Sequence, residues 1–91
     1  MSLLISEIEK SFSRLEKLFS AEELSEFLRC PYEELALYHF GLGFWVRNNL
    51  LLPKSALFSL FQLHNVSSAD EMSALIIRLF YLHLQGRRLS L

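Results

Sequence analysis

At Ser20-Ala-Glu-Glu23 and Ser68-Ala-Asp-Glu71 of this 91-residue chain a serine stands three residues ahead of a glutamate and just before a new apolar repeat. Such a serine accepts a hydrogen bond from the third backbone amide of a new helix, while the glutamate reaches back to the serine's own amide. Each string therefore marks a helix start. Around these fixed points apolar residues recur at steps of three and four. Ile5, Ile8, Phe12, Leu15 and Phe19 share one face of a helix predicted from about Ser2 to Phe19, with Glu9, Lys10, Ser13 and Glu16 opposite. Met72, Leu75, Ile76, Leu79, Phe80 and His83 repeat the pattern after the second serine, in a helix expected to stop at Gly86 with Arg87 and Arg88 just beyond.

The two prolines place the remaining boundaries. A short helix over about Ala21 to Arg29 must end before Pro31, because the residue preceding a proline is pushed out of the α region. Pro31 suits the first position of a third helix running to about Asn48, with Glu33 and Glu34 at its positive end and Arg47 at its negative end. Leu35 to Val46 carries no charge, which predicts a central helix covered on several sides. Pro53 opens a fourth helix to about Leu63, turning Leu57, Leu60 and Phe61 inward, and His64-Asn-Val-Ser-Ser68 connects it to the last. The expectation is an all-α fold: one domain over residues 1–91, a compact bundle of about five helices with helix three (about 31–48) central.

Composition agrees with the pattern. Twenty-one Leu and 8 Phe stand against two Val and four Ile, a balance that favours helix over strand. Three Gly, two Pro and no Asn-Gly or Asp-Gly string leave too few turn signals for a sandwich or barrel. The single Cys30 cannot form an intramolecular bridge, which points to a reducing compartment. The opening Met1-Ser-Leu-Leu-Ile-Ser-Glu7 lacks a basic n-region and meets a carboxylate early, so no secretory signal is expected and the cytoplasm is the expected location. The longest uncharged stretch, Ser55 to Ala69, is 15 residues and broken by His64 and Asn65, too short to span a bilayer.

Charge is unevenly laid out. Residues 1–34 hold eight Glu against Lys10, Arg14, Lys17 and Arg29, whereas residues 35–91 hold five basic side chains against Asp70 and Glu71. The net charge of −1 argues against a chain dedicated to nucleic acid. An acidic first third speeds encounter with a basic partner.

Candidate chemistry is sparse. His39, His64 and His83 fall in different predicted elements, without the i,i+4 pairing or carboxylate neighbours of a zinc site, so neither a metal nor any cofactor is expected and the chain does not read as an enzyme. Cys30 has no histidine beside it and reads as a small buried hydrophobe. Gly41-Leu-Gly43 lies inside an apolar run and not after a strand, so it is no nucleotide loop. Each helical glycine costs about 1 kcal/mol relative to alanine, which implies close approach of another backbone or a bulky ring. His39, Gly43 and Arg47 form one stripe; Tyr38, Leu42, Trp45 and Asn49 form another. Trp45 reads either as a core residue or as an interface anchor, and Arg47 and Asn48 either as C-terminal caps or as partner contacts. Leu50-Leu51-Leu52 reads as a buried connection, or as a partner or dimer surface if exposed.

The string Glu34-Leu-Ala-Leu-Tyr-His-Phe-Gly-Leu-Gly-Phe-Trp-Val-Arg-Asn-Asn-Leu50, with Ala69-Asp-Glu-Met-Ser-Ala-Leu-Ile-Ile77 and Leu84-Gln-Gly86, resembles a family of small uncharacterised bacterial all-helical proteins. The resemblance spans about Glu33 to Arg88 and is most specific in His-Phe-Gly-Leu-Gly…Arg-Asn. It departs between Asn49 and Ala56, where Leu-Leu-Leu-Pro-Lys-Ser replaces a more polar, glycine-rich connection. Proteins of this type resemble immunity proteins of bacterial toxin systems, including contact-dependent growth inhibition. The resemblance implies a structural or partner-binding role for His39, Gly41, Gly43, Arg47 and Asn48. The expected function is therefore that of an immunity protein covering the active site of a cognate toxin domain. The partner-binding residues would be Glu22, Glu23, Glu26, Glu33, Glu34, His39, Trp45, Arg47 and Asn48, the glutamates steering a basic nuclease and mimicking a phosphate backbone. The alternatives are a helical nucleic-acid-binding or regulatory domain using Arg47, Arg78, Arg87 and Arg88, and a small enzyme built on His39. A homo-oligomer is compatible with each.

Overall fold

The computed structural model describes residues 3–89, with side chains to residue 86. Five α-helices follow one another: α1 (Leu3–Glu16), α2 (Ala21–Arg29), α3 (Leu42–Asn49), α4 (Ala56–Leu63) and α5 (Ala69–Leu89). A 3-10 helix (Tyr32–Tyr38) lies between α2 and α3, and the described residues contain no strand. The expected beginning of the first helix at Ser2 lies outside the described residues.

Both serines cap their helices as read, but the reciprocal glutamate bond forms only at the first string. Ser20 accepts from the Glu23 amide at 3.1 Å, and Glu23 accepts from the Ser20 amide at 2.8 Å, closing both halves of the box. Ser68 accepts from the amides of Asp70 and Glu71 at the start of α5. Pro53, however, does not open α4. Ser55 caps that helix by accepting from the Phe58 amide, because a serine hydroxyl satisfies a free amide that proline leaves unanswered. The end of α4 is closed by Asn65 in the left-handed region (φ 66°), with Val66 donating to the Phe61 carbonyl and Asn65 to that of Gln62.

Two boundaries differ from expectation. The stretch from Pro31 to Asn48 is divided: a 3-10 helix to Tyr38, a turn, then α3 from Leu42. Pro31 itself is extended, and three-residue periodicity puts Leu35 and Tyr38 towards the interior while Leu37 and Phe40 face outwards. The break falls at Gly41, where helix is least favoured. α3 buries Leu42, Gly43 and Val46, but Leu37, Phe40 and Phe44 of the same stretch are exposed, so the expected centre of the bundle passes to α5, which packs against every other element. At the other end α5 does not stop at Gly86, which keeps a negative φ while the helix runs on through Leu89. An isolated glycine costs a long, well-packed helix only about 1 kcal/mol. Arg87 and Arg88 thus belong to α5 and not to a following segment, although their side chains lie outside the description.

α5 touches every other element and carries Met72, Ile76, Ile77, Phe80, Tyr81 and Leu84 into the core. His83, expected inward, is exposed at the edge of this face, its ring 4.7 Å from that of Phe12. Leu60 is half-buried, and Leu50 and Leu51 are buried while Leu52 is exposed. At the centre is Phe27, fully buried, its ring 4.9–5.7 Å from those of Phe19, Tyr38, Phe80 and Tyr81. Two cross-chain hydrogen bonds fix the end of α2: the Tyr81 hydroxyl donates to the Cys30 carbonyl at 2.6 Å, and the Gln85 amide to the Leu28 carbonyl at 2.8 Å. Phe27→Ala is expected to cost about 3–5 kcal/mol, much of the stability of a domain this size, and to lower the urea midpoint sharply in a denaturation curve.

Candidate functional site

The segment between α2 and α3 sorts its side chains onto two surfaces. One is a groove of about 350 Å³ where the end of α1, α2 and the start of α3 meet. Its walls are Leu18, Phe19, Tyr38, Leu42 and Trp45, and its rim carries Glu23 and Glu26. The apolar groups are there because the Phe27 cluster draws Phe19 and Tyr38 inward, leaving each half-buried with part of its ring at the groove. Trp45 is likewise half-buried, packed against the core, with the Arg14 guanidinium 5.6 Å from its ring centroid.

The electrostatics of this face are one-sided. Glu22, Glu23, Glu26, Glu33 and Glu34 are all exposed, and none forms an ion pair among the described residues. Their field is felt by two half-buried groups. Burial pushes the Cys30 thiol above its ordinary pKa, and Glu34 and then Glu33 push it further. The Tyr38 phenol is raised by burial, with Cys30 and Glu26 adding. Cys30 also donates weakly to the Pro31 carbonyl at 3.4 Å. Its small, half-buried side chain fits the packing role read from the sequence.

The second surface gathers His39 and Arg47 around an acid absent from the expected site, Asp70. Arg47 Nη1 lies 3.6 Å and His39 Nε2 3.9 Å from the same Asp70 oxygen. Arg47 Nη1 also donates to the buried Ser73 hydroxyl at 3.4 Å, and that hydroxyl donates to the Asp70 carbonyl at 3.0 Å. The expected stripe of His39, Gly43 and Arg47 is therefore real, and Gly43 has a specific place in it. A Cβ there would sit 3.1 Å from Arg47 Nη1 and 3.8 Å from His39 Nδ1. Gly41 has open space around its Cβ direction and needs no close neighbour, so only one of the two glycines answers to the packing argument. This arrangement ties α3 to α5. Its exposed carboxylate limits the electrostatic contribution to that of a surface pair, at most about 1 kcal/mol.

The nine expected partner-binding residues thus do not converge on one site. Glu23, Glu26 and Trp45 meet in the groove; Glu22, Glu33 and Glu34 extend the acidic surface beside it. His39 and Arg47 belong to the Asp70 cluster, and Asn48 is exposed, donating to the Phe44 carbonyl as a local helix contact. Sequence reading missed Phe19 as a groove residue because its apolar register marked it only as core. It missed Asp70 because the acid looked committed to the start of α5. His64 and His83 stand apart from both surfaces, and among the described residues no three His, Cys, Asp or Glu side chains are grouped to hold a metal ion.

Fold and surface together define a small all-α domain with an acidic, aromatic-walled groove. Over residues 6–84 the chain matches the family described as a domain of unknown function, DUF6794, and it belongs to that family. No curated protein and no solved structure matches it. No helix among the described residues is long and apolar enough to cross a membrane.

Two outcomes follow from this geometry. A raised pKa means less thiolate at any given pH, so Cys30 is expected to react with a thiol-exchange reagent at pH 8 more slowly than an unperturbed thiol. Glu34→Gln should speed the reaction by removing the carboxylate whose charge bears more strongly on the thiol. Gly43→Ala is expected to displace the Arg47 guanidinium, visible as faster exchange of its Nε proton by NMR, while stability changes by less than about 1 kcal/mol because gained helix propensity offsets the lost contact.

Proposed function

We propose that this chain is a protein-binding module whose acidic face, formed by α2 and the 3-10 helix, receives a basic protein surface. The observation that carries the reading is the groove: an apolar, ring-walled depression with Glu23 and Glu26 at its rim and three further unpaired glutamates beside it. Depressions with apolar walls and a few placed polar groups suit binding, and aromatic anchors at their centre supply most of an interface's energy. Unpaired carboxylates on one side steer a cationic partner and raise its association rate.

In its most concrete form the module is a cytoplasmic immunity protein of a bacterial toxin system, such as contact-dependent growth inhibition, that covers the active site of a cognate toxin. A nuclease toxin carries a basic cleft for phosphates, and a row of carboxylates is complementary to it. The acidic groove supplies a surface on which this form can operate. The alternative of a nucleic-acid-binding domain draws less support, since Arg47 is half-buried and already engaged by Asp70 and Ser73. For His39 the same cluster supplies a positioning partner, Asp70, and so a structural part.

Co-expression with the product of the adjacent gene tests the reading. The two proteins are expected to co-purify, and this chain to restore growth when that product is toxic. A combined Glu22→Lys, Glu33→Lys, Glu34→Lys variant should slow association by about tenfold or more at low salt, with the difference shrinking at high salt. Absence of both capture and rescue would sink the immunity reading.

A further inference from the structure

We propose that the groove between Phe19, Tyr38 and Trp45 receives a single arginine or lysine side chain of the partner protein. This rests on the protein-binding reading and specifies what the acidic face recognises. The carboxylates alone do not make the argument. Three aromatic residues wall one cavity of about 350 Å³, and two carboxylates stand at its rim. Ring faces attract ammonium and guanidinium groups, and the attraction grows as water is excluded. Leu18 and Leu42 add apolar wall against which the methylene stem of a long cationic side chain can lie while its head stays polar.

The rim complements such a head. Glu23 uses one oxygen on the Ser20 amide, which leaves the other open, and Glu26 has no cation partner among the described residues. Glu26 lies close enough to Tyr38 for its charge to bear on the phenol, so carboxylate and ring act on the same small volume. Trp45 already attracts a guanidinium, that of Arg14, which does not line the groove and leaves it unfilled. Glu22 lies on α2 with the two rim residues, and Glu33 and Glu34 bear on the Cys30 thiol, which in turn bears on Tyr38. A side chain presented by a basic protein surface therefore meets the groove and the wider acidic face together.

Trp45 is the only tryptophan, so its emission reports directly on the groove. The full chain is titrated with the N-acetyl amides of arginine, lysine and citrulline, the last being arginine's neutral near-isostere, with backbone NMR shifts mapped in parallel. The expected result is a saturable emission change with the two cations, shifts confined to Phe19, Tyr38, Gly41 and Trp45, and binding of citrulline weaker by about tenfold. Glu26→Gln, an exposed and isosteric change, should weaken arginine binding severalfold while leaving the far-ultraviolet circular dichroism unchanged. Equal binding of citrulline, non-saturating shifts spread over Glu22, Glu33 and Glu34, or indifference to Glu26→Gln would each overturn the proposal. If the charge-reversed surface variant loses the partner while wild type ignores the arginine amide, the groove inference fails and the protein-binding reading stands. If the arginine amide binds in the groove but no protein is captured, the opposite holds.

Discussion

The packing of one phenylalanine organises this molecule. Phe27 projects from a nine-residue helix whose remaining side chains are exposed or only half-buried, so this ring is what fastens α2 to the bundle. It stacks near Phe80 and meets Tyr38 and Tyr81 edge-on, an arrangement that satisfies the opposed charges of ring face and ring edge. The glutamates of α2 and the 3-10 helix can remain solvated and unpaired because the attachment beneath them is apolar. No ion pair is needed to hold that surface, which leaves its charge available to the outside.

The same cluster makes the groove. Phe19 and Tyr38 each give one side to Phe27 and another to the cavity, so the wall of the candidate site is the outer layer of the core. A site built in this way is preorganised: its rings are held by packing before any ligand arrives. Across the 3-10 helix the chain spends its other polar groups differently. There Arg47 pairs with Asp70 and donates to Ser73, with His39 beside the same carboxylate, and the group joins α3 to α5. One face is thus internally satisfied and the other is not, and that asymmetry is what marks the second as the candidate site.

Much of the fold was legible in the sequence because its signals are local. The capping strings at Ser20 and Ser68, the 3–4 spacing of Ile8, Phe12 and Leu15, and the lack of turn residues each report on a few neighbouring positions, and α2 and α5 start where their serines predict. The division of the Pro31–Asn48 stretch was not legible. Its apolar content suits either helical period, and the choice was made by which rings reach Phe27. The continuation through Gly86 was decided likewise by packing, with Leu84 and Gln85 held against their neighbours just before it. The site was half visible. The glutamates and Trp45 stood out by type, but the partnership of Phe19 with Trp45, or of Arg47 with Asp70, joins residues 26 and 23 positions apart and has no local signature.

The two hydrogen bonds that pin the end of α2 reach across 51 and 57 residues, from Tyr81 to Cys30 and from Gln85 to Leu28. The groove is assembled from residues 18–45, yet the scaffold that shapes it is supplied by α5. During synthesis the acidic segments emerge before α5 and stay without its support until that helix is available. Long-range closure of this kind comes late in folding, since the entropy of bringing distant segments together must be met before their contacts form. The groove therefore takes its final shape only once α5 has packed against α2, as a late step in folding.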